Sequence, residues 1–447
     1  MGLIQQIVEW ASLGAKIEPL TSWIQNGWQY RQRPQRQYWN WFENHRDEKI
    51  NALIDAESSL RTISPGADYT SMCEGLNPDW ADPMTSRNYL STGTAIKDSC
   101  IGWDHDNNKP VLYVLQGNNI YPVDAPWDHS AAPSLGSALS LTYNQTPVDV
   151  MGICSDGDYL FVVYGVSGSY IYLAKFSLIS FTGTDLWGVS TGLTYSVVPD
   201  STISDFIVID SDRIGLLIAT IAQPAYMEVF SILKTTGAWN KGYGNGTSSD
   251  YMTPKESRLV SDGARVYWLV YEASGGSRQY YLNSALISAP TGSPFARISI
   301  GASVSDVNYS DHFSGVALCR GKILCGTTMG EIFMYTPGDA SSVDLIDAQN
   351  LSDNTENYPI ILKSDGLNVW LFTLTGAFGG TYVFYRIPSG YFSDSLVSGS
   401  IDVDRILIDE NSFTAGYKIG NLLFDGRDMW MVSQPGDLLR ICAPGLR

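Results

Sequence analysis

Residues 261–270 read Ser-Asp-Gly-Ala-Arg-Val-Tyr-Trp-Leu-Val, and the opening triplet returns at Ser155-Asp156-Gly157 and Ser364-Asp365-Gly366, with Phe424-Asp425-Gly426 as a variant. An apolar run precedes each triplet, and a second one after it carries an aromatic about five positions past the Asp: Phe161, Trp268, Trp370 and Trp430. Asp-Gly between apolar runs favours the primed two-residue turns, whose positive φ suits the right-handed twist of the flanking strands. Each copy therefore predicts a β-hairpin, with Asp156, Gly157, Asp262, Gly263, Asp365, Gly366, Asp425 and Gly426 as structural turn residues.

Weaker copies occupy the gaps, at Asn107-Asn108 with Tyr113, around Asp210, and at Arg320-Gly321 with Cys325 in the aromatic position. Third strands follow as Tyr170-Ile171-Tyr172-Leu173, Tyr280-Tyr281-Leu282, Glu331 to Tyr335 and Tyr382 to Tyr385. A unit repeated with a period of roughly 50 residues, each too small to bury its own face, predicts propeller blades packed around a ring. Counting strong and weak copies together, the fold class is mainly β, a β-propeller of about seven blades over residues 66–447. The recurrent aromatics are expected between blades, as core rather than ligand contacts.

Residues 1–65 have a different texture. Ile4, Ile7, Val8 and Ala11 lie at helical spacing, and Pro34 opens a stretch free of Gly and Pro that runs to about Arg61. The expectation is a small α-helical region whose long helix, about 40 Å at 1.5 Å per residue, needs a partner to cover it. The first 63 residues hold seven basic and seven acidic side chains, so the net charge of −18 belongs to the remainder. Such a surface repels phosphate backbones and anionic lipid, which argues against nucleic acid and membrane surfaces as partners. The chain has no apolar run of the roughly 20 residues that cross a bilayer, and the six cysteines show no zinc spacing.

Gly27-Trp28, Arg33-Pro34 and Gln37-Tyr38-Trp39-Asn40-Trp41-Phe42-Glu43-Asn44 together resemble the N-terminal segment of tail fibre and appendage proteins of tailed bacteriophages. The resemblance covers about a tenth of the chain and departs in having one proline where the family often has two. It implies that Trp28, Pro34, Tyr38, Trp39, Asn40, Trp41 and Phe42 anchor the protein to the virion. Other tail proteins (an adaptor, nozzle or fibre) would then be partners, and the chain would reside in the tail after assembly in the host cytoplasm. A host-surface glycan is the implied target of the propeller, and a homo-oligomer the implied assembly.

The sequence carries no complete catalytic or cofactor signature. Asp and Gly are adjacent in the turns, unlike the Ser-x-Asp-x-Gly-x-x-Trp order of sialidase boxes. His45, His105, His129 and His312 are dispersed, and no Ser sits in a G-x-S-x-G elbow. Asp104-His105-Asp106-Asn107-Asn108 starts like a calcium loop but lacks its turn Gly and has Leu115 in place of the bidentate Glu, so it reads as a polar hairpin turn. The sequence thus predicts no enzyme, no metal and no cofactor. It predicts a virion structural protein for host attachment, with loops such as Gly237 to Tyr251 and Ala273 to Arg278 making adaptable contacts. A purely structural nozzle or connector is the alternative, and a glycan depolymerase stands behind both.

Overall fold

The structure is a computed structural model. It describes residues 89–126, 131–195, 201–220, 226–244, 258–274, 277–288, 296–305, 315–326, 332–337, 343–346, 361–364, 369–375, 381–387, 404–408, 419–426, 428–433 and 436–442. All of these lie in the compact unit Met72–Arg447. The expected helical anchor, residues 1–65, and its boundary with the propeller lie outside the described residues.

Every described element is a strand. The chain opens with β1 (Tyr89–Ser91), then lays down β2 (Asp98–Asp104), β3 (Lys109–Gln116), β4 (Asn119–Asp124) and β5 (Ser134–Leu135). Next come β6 (Asp149–Ser155), β7 (Tyr159–Gly165), β8 (Tyr170–Ser177) and β9 (Trp187–Thr194), followed by β10 (Ser201–Val208), β11 (Arg213–Thr220), β12 (Tyr226–Leu233) and β13 (Trp239–Gly244). The middle of the chain forms β14 (Leu259–Ser261), β15 (Arg265–Ser274), β16 (Ser277–Leu286), β17 (Ala296–Ser305), β18 (Gly315–Cys319), β19 (Lys322–Gly326), β20 (Ile332–Tyr335) and β21 (Val343–Ile346). The last are β22 (Ile361–Ser364), β23 (Val369–Thr375), β24 (Thr381–Ile387), β25 (Asp404–Ile408), β26 (Ile419–Phe424), β27 (Asp428–Ser433) and β28 (Asp437–Cys442).

These strands make seven four-stranded antiparallel sheets, six of them consecutive meanders. In the seventh, β26, β27 and β28 take their outer strand from the other end of the chain, β1. The first strands of the sheets adjoin in a circuit, β2 to β6, β10, β14, β18, β22, β26 and back to β2. A closed circuit of meanders is a β-propeller.

The first four sheets are covered on both faces, which explains why their second strands read as largely apolar runs. In β7, Leu160, Val162 and Tyr164 pack with the first sheet, while Phe161 and Val163 turn to the third. Outer strands are wetter, and β9 is only partly buried. The expected placement of the aromatics holds for Tyr113, Phe161 and Trp430, each in a cluster shared by two neighbouring sheets. Cys325 is fully buried between the fourth and fifth sheets, but on the face turned to the preceding sheet, opposite to that of Phe161. Trp268 is also buried between sheets, but in a different register. The residue equivalent to Phe161 is Tyr267, which faces the fifth sheet, whereas Trp268 points the other way, into the cluster shared with the third. In β11 Gly215 stands where an aromatic would, and the space is filled by Ile209, whose Cδ1 a Cβ there would meet at 2.8 Å.

The turns also differ from expectation. In the β6–β7 hairpin Ser155 pairs with Leu160 and the Asp156 N–H donates to the Tyr159 carbonyl, so the two central residues are Gly157 and Asp158. Only the glycine has positive φ, +97°, the pattern with Gly at the first central position. The β14–β15 and β26–β27 turns repeat this frame, with Gly263 at +88° and Gly426 at +95°. Asp thus sits one place before the turn centre, and its carboxylate replaces a backbone acceptor. Asp156 Oδ1 accepts from Tyr159 N at 2.9 Å, Asp262 Oδ1 from Arg265 N at 2.7 Å and Asp425 Oδ1 from Asp428 N at 2.7 Å. Asp365 and Gly366 lie outside the described residues. Where both central residues take positive φ is Arg320-Gly321, at +50° and +75°.

Candidate functional site in the central channel

The first strand of each sheet has one hydrogen-bonding edge with no ladder partner, and these edges line the ring's central channel. Unpaired backbone groups there must be satisfied by side chains or solvent. Three side chains do so by reaching across to the next sheet. Asp98 Oδ2 in the first sheet accepts from Ile153 N of the second at 2.8 Å, and Asp205 Oδ2 in the third accepts from Leu259 N of the fourth at 2.6 Å. Asn421 Nδ2 in the seventh donates to Ser99 O of the first at 3.3 Å. Both aspartates also accept a neighbouring N–H, from Ser99 at 2.8 Å and Phe206 at 3.0 Å, so their carboxylates are committed to the fold.

The channel encloses a cavity of about 430 Å³, whose lining includes Asp98, Asp205, Arg258, Lys363 and Asn421. Arg258 Nη1 lies 3.5 Å from Asp205 Oδ1. Burial pushes the Asp98 carboxyl up to about 7, with the Asp205 charge adding to the rise and the two N–H donors and Arg258 opposing it. Burial likewise lowers the Lys363 ammonium, helped by Arg258 and countered by Asp205. The Cys100 and Cys154 thiols beside the cavity are free, and burial raises both well above the ordinary range, leaving them protonated. The site therefore offers fixed charges of both signs in a partly desolvated space, where they act more strongly than in water.

The sequence-read residues lie elsewhere. Trp28, Pro34, Tyr38, Trp39, Asn40, Trp41 and Phe42 are outside the described residues, as are His45, His129 and His312. Asp156-Gly157, Asp262-Gly263 and Asp425-Gly426 occupy hairpin ends. Asp104 caps its turn: its Oδ1 accepts from Asp106 N and Asn107 N at 3.0 Å each. The two segments expected as adaptable loops are partly strand, since 239–244 form β13 and Ser274 pairs with Ser277 in a tight hairpin. Sequence reasoning missed the channel residues. The available signal was an Asp in an inner strand acting one blade period on: Asp98 to Ile153 spans 55 residues and Asp205 to Leu259 spans 54.

No protein-family model and no curated protein matches the chain. Among solved structures, the computationally designed Ika8 protein is 11% identical with a TM-score of 0.41, covering 80% of this chain and 98% of its own. BamB from Moraxella catarrhalis is 13% identical at a TM-score of 0.39, with 78% and 84% covered. The WD40 domain of SCAP from fission yeast is 10% identical at 0.40, with 77% and 80% covered. Likenesses this distant carry no argument, and the assignment to the β-propellers rests on the chain's own sheet topology.

Proposed function

We propose that this chain is an appendage of a tailed-bacteriophage virion: a seven-bladed propeller, one sheet to a blade, anchored by its N-terminal segment and presenting the ring to the host surface. The observation that carries the recognition role is the connection between β8 and β9. Ile179, Phe181 and Leu186 stand 50%, 42% and 54% exposed there, and large apolar side chains grouped in water mark contact surfaces. The connection is held in place: Thr142 N donates to Gly183 O at 2.7 Å and Asn144 N to Asp185 Oδ2 at 3.0 Å. A surface fixed before binding loses less conformational entropy on contact.

The anchoring role rests on the resemblance of the segment around Trp28 to Phe42, which would dock on another tail protein. The acidic excess of the propeller disfavours nucleic acid, and four buried free cysteines suit assembly in a reducing host cytoplasm. In this reading the ring binds a surface glycan without cleaving it, and copies of the chain associate in the tail.

The test is to incubate the protein with bacterial surface polysaccharide and score both retention and release of small fragments by mass spectrometry. Retention without fragments is expected, weakened about tenfold by Phe181→Ala, within the range for truncating one aromatic anchor. Fragments would replace this reading with a depolymerase. Neither retention nor fragments would replace it with a nozzle or connector.

A further inference from the structure

Five charged or amide side chains from five different sheets line one cavity, yet they are not equally provided for. Asp98 and Asp205 each accept two backbone N–H groups. Asn421 spans to Ser99, and Arg258 lies near Asp205. Lys363 differs: among the described residues no hydrogen bond or ion pair holds its ammonium, although it lines the same cavity and feels the charges of Asp205 and Arg258. A half-buried cation without a contact partner carries a desolvation cost that an anion would relieve.

We propose that the central channel is a binding site for a small oxyanion, a carboxylate or phosphate group, held by the Lys363 ammonium with Arg258 lining the same cavity. The two aspartates do not forbid this. Each carboxylate already accepts two backbone N–H groups, Asp205 is offset by Arg258, and burial raises the Asp98 carboxyl to about 7, which lessens its charge below that pH. The cavity of about 430 Å³ accommodates a phosphate ion or one acidic sugar, at the small end of ordinary ligand sites. Ammonium groups bind phosphate and carboxylate as point charges, so Lys363 specifies charge more than shape. The inference stands whether or not the ring recognises a host surface, because it rests on the channel alone.

Calorimetric titration of the full chain at pH 6.5 with inorganic phosphate, with glucuronate and with neutral glucose tests it. Saturable binding of at least one of the two anions, and none of glucose, is expected. Phosphate alone would identify a free oxyanion as ligand, and glucuronate alone a sugar acid. Lys363→Met should weaken binding at least tenfold, while Lys363→Arg should stay within about threefold. On the unaltered protein, a saturating anion should slow acetylation of Lys363 by acetic anhydride severalfold relative to Lys97, measured by peptide mass spectrometry. That readout holds even if Lys363→Met fails to fold. Absence of saturable heat from both anions, equal binding of glucose, a Lys363→Met protein that titrates like the parent, or unprotected acetylation would each overturn the proposal.

Discussion

A carboxylate that joins two sheets from inside a channel meets opposing demands. Asp98 gains two N–H donors, yet burial holds its pKa near 7, well above the usual carboxylate range. The folded state therefore keeps its proton more tightly than the unfolded chain does. This contribution to stability is complete below about pH 4 and is lost as pH rises through about 7. The groups that face it are Arg258 and Asp205 across the channel, with Cys100 and Cys154 nearby. Asp98→Asn keeps an oxygen for the Ile153 N–H and removes the ionisation. It should raise stability at pH 8 by about 1–2 kcal/mol, since each tenfold change in proton affinity between folded and unfolded states is worth about 1.4 kcal/mol before solvent in the channel is allowed for. Asp98→Ala leaves the N–H unpaired and should cost about 1–3 kcal/mol at pH 5. Urea unfolding of the parent and both variants at the two pH values checks this, and a parent whose stability changes with pH in parallel with that of Asp98→Asn would refute the assignment.

At the scale of the hairpin, the Asp-Gly unit shows what a linear reading captures. The repeat, the strands and the hairpins were legible because Asp, Gly and an aromatic recur at fixed offsets. The turn frame was not, because Asp-Gly can itself form a turn centre, and only the carboxylate's bonds reveal that it stands one residue earlier. Those bonds also explain the fixed spacing of Asp and aromatic. Tyr267 Oη donates to Asp262 Oδ2 at 2.7 Å and Trp430 Nε1 to Asp425 Oδ2 at 2.8 Å, across five residues in both cases. Trp268, though bulkier than Tyr267, is one place out of this register and serves the opposite face. Phe161 has no donor, and there Asp156 Oδ2 instead takes the Lys234 ammonium at 3.1 Å. The channel residues were illegible for a related reason: a single Asp or Lys in an inner strand has no partner nearby in sequence, and only the packing of sheet against sheet brings one to it. Asp425→Ala removes the acceptor for both Asp428 N and Trp430 Nε1, so it should cost about 2–3 kcal/mol. Phe substituted for Trp430 in that background should add less than it does alone, a coupling measurable by a double-mutant cycle.

The whole ring depends on one seam. Six sheets are made from consecutive strands, but the seventh joins residues nearly the full described length apart, with Tyr89 Oη donating to Asp437 Oδ1 at 2.8 Å across 348 positions. Thr92 N and Oγ1 both donate to Gly436 O at 2.9 Å, and Gln116 Nε2 reaches Thr94 O at 3.0 Å from the first sheet. Gly436 has φ of +117°, and a Cβ on it would stand 2.3 Å from the Thr94 carbonyl oxygen, a backbone atom with no freedom to withdraw. Gly436→Ala should therefore both strain the turn and push the N-terminal strand away, at a cost of at least about 2–3 kcal/mol. Removing residues 1–91 deletes β1 outright and exposes the β28 edge, whereas removing 1–71 stops at the boundary of the compact unit. If β1 closes the ring, the longer deletion lowers the urea midpoint of the propeller below that of the shorter one. Amide exchange should then quicken first in β27 and β28, because every other sheet keeps its four strands. Equal midpoints for the two deletions would mean that the packing of the first sheet against the seventh, through Val114, Trp430 and their neighbours, holds the ring shut without the shared strand.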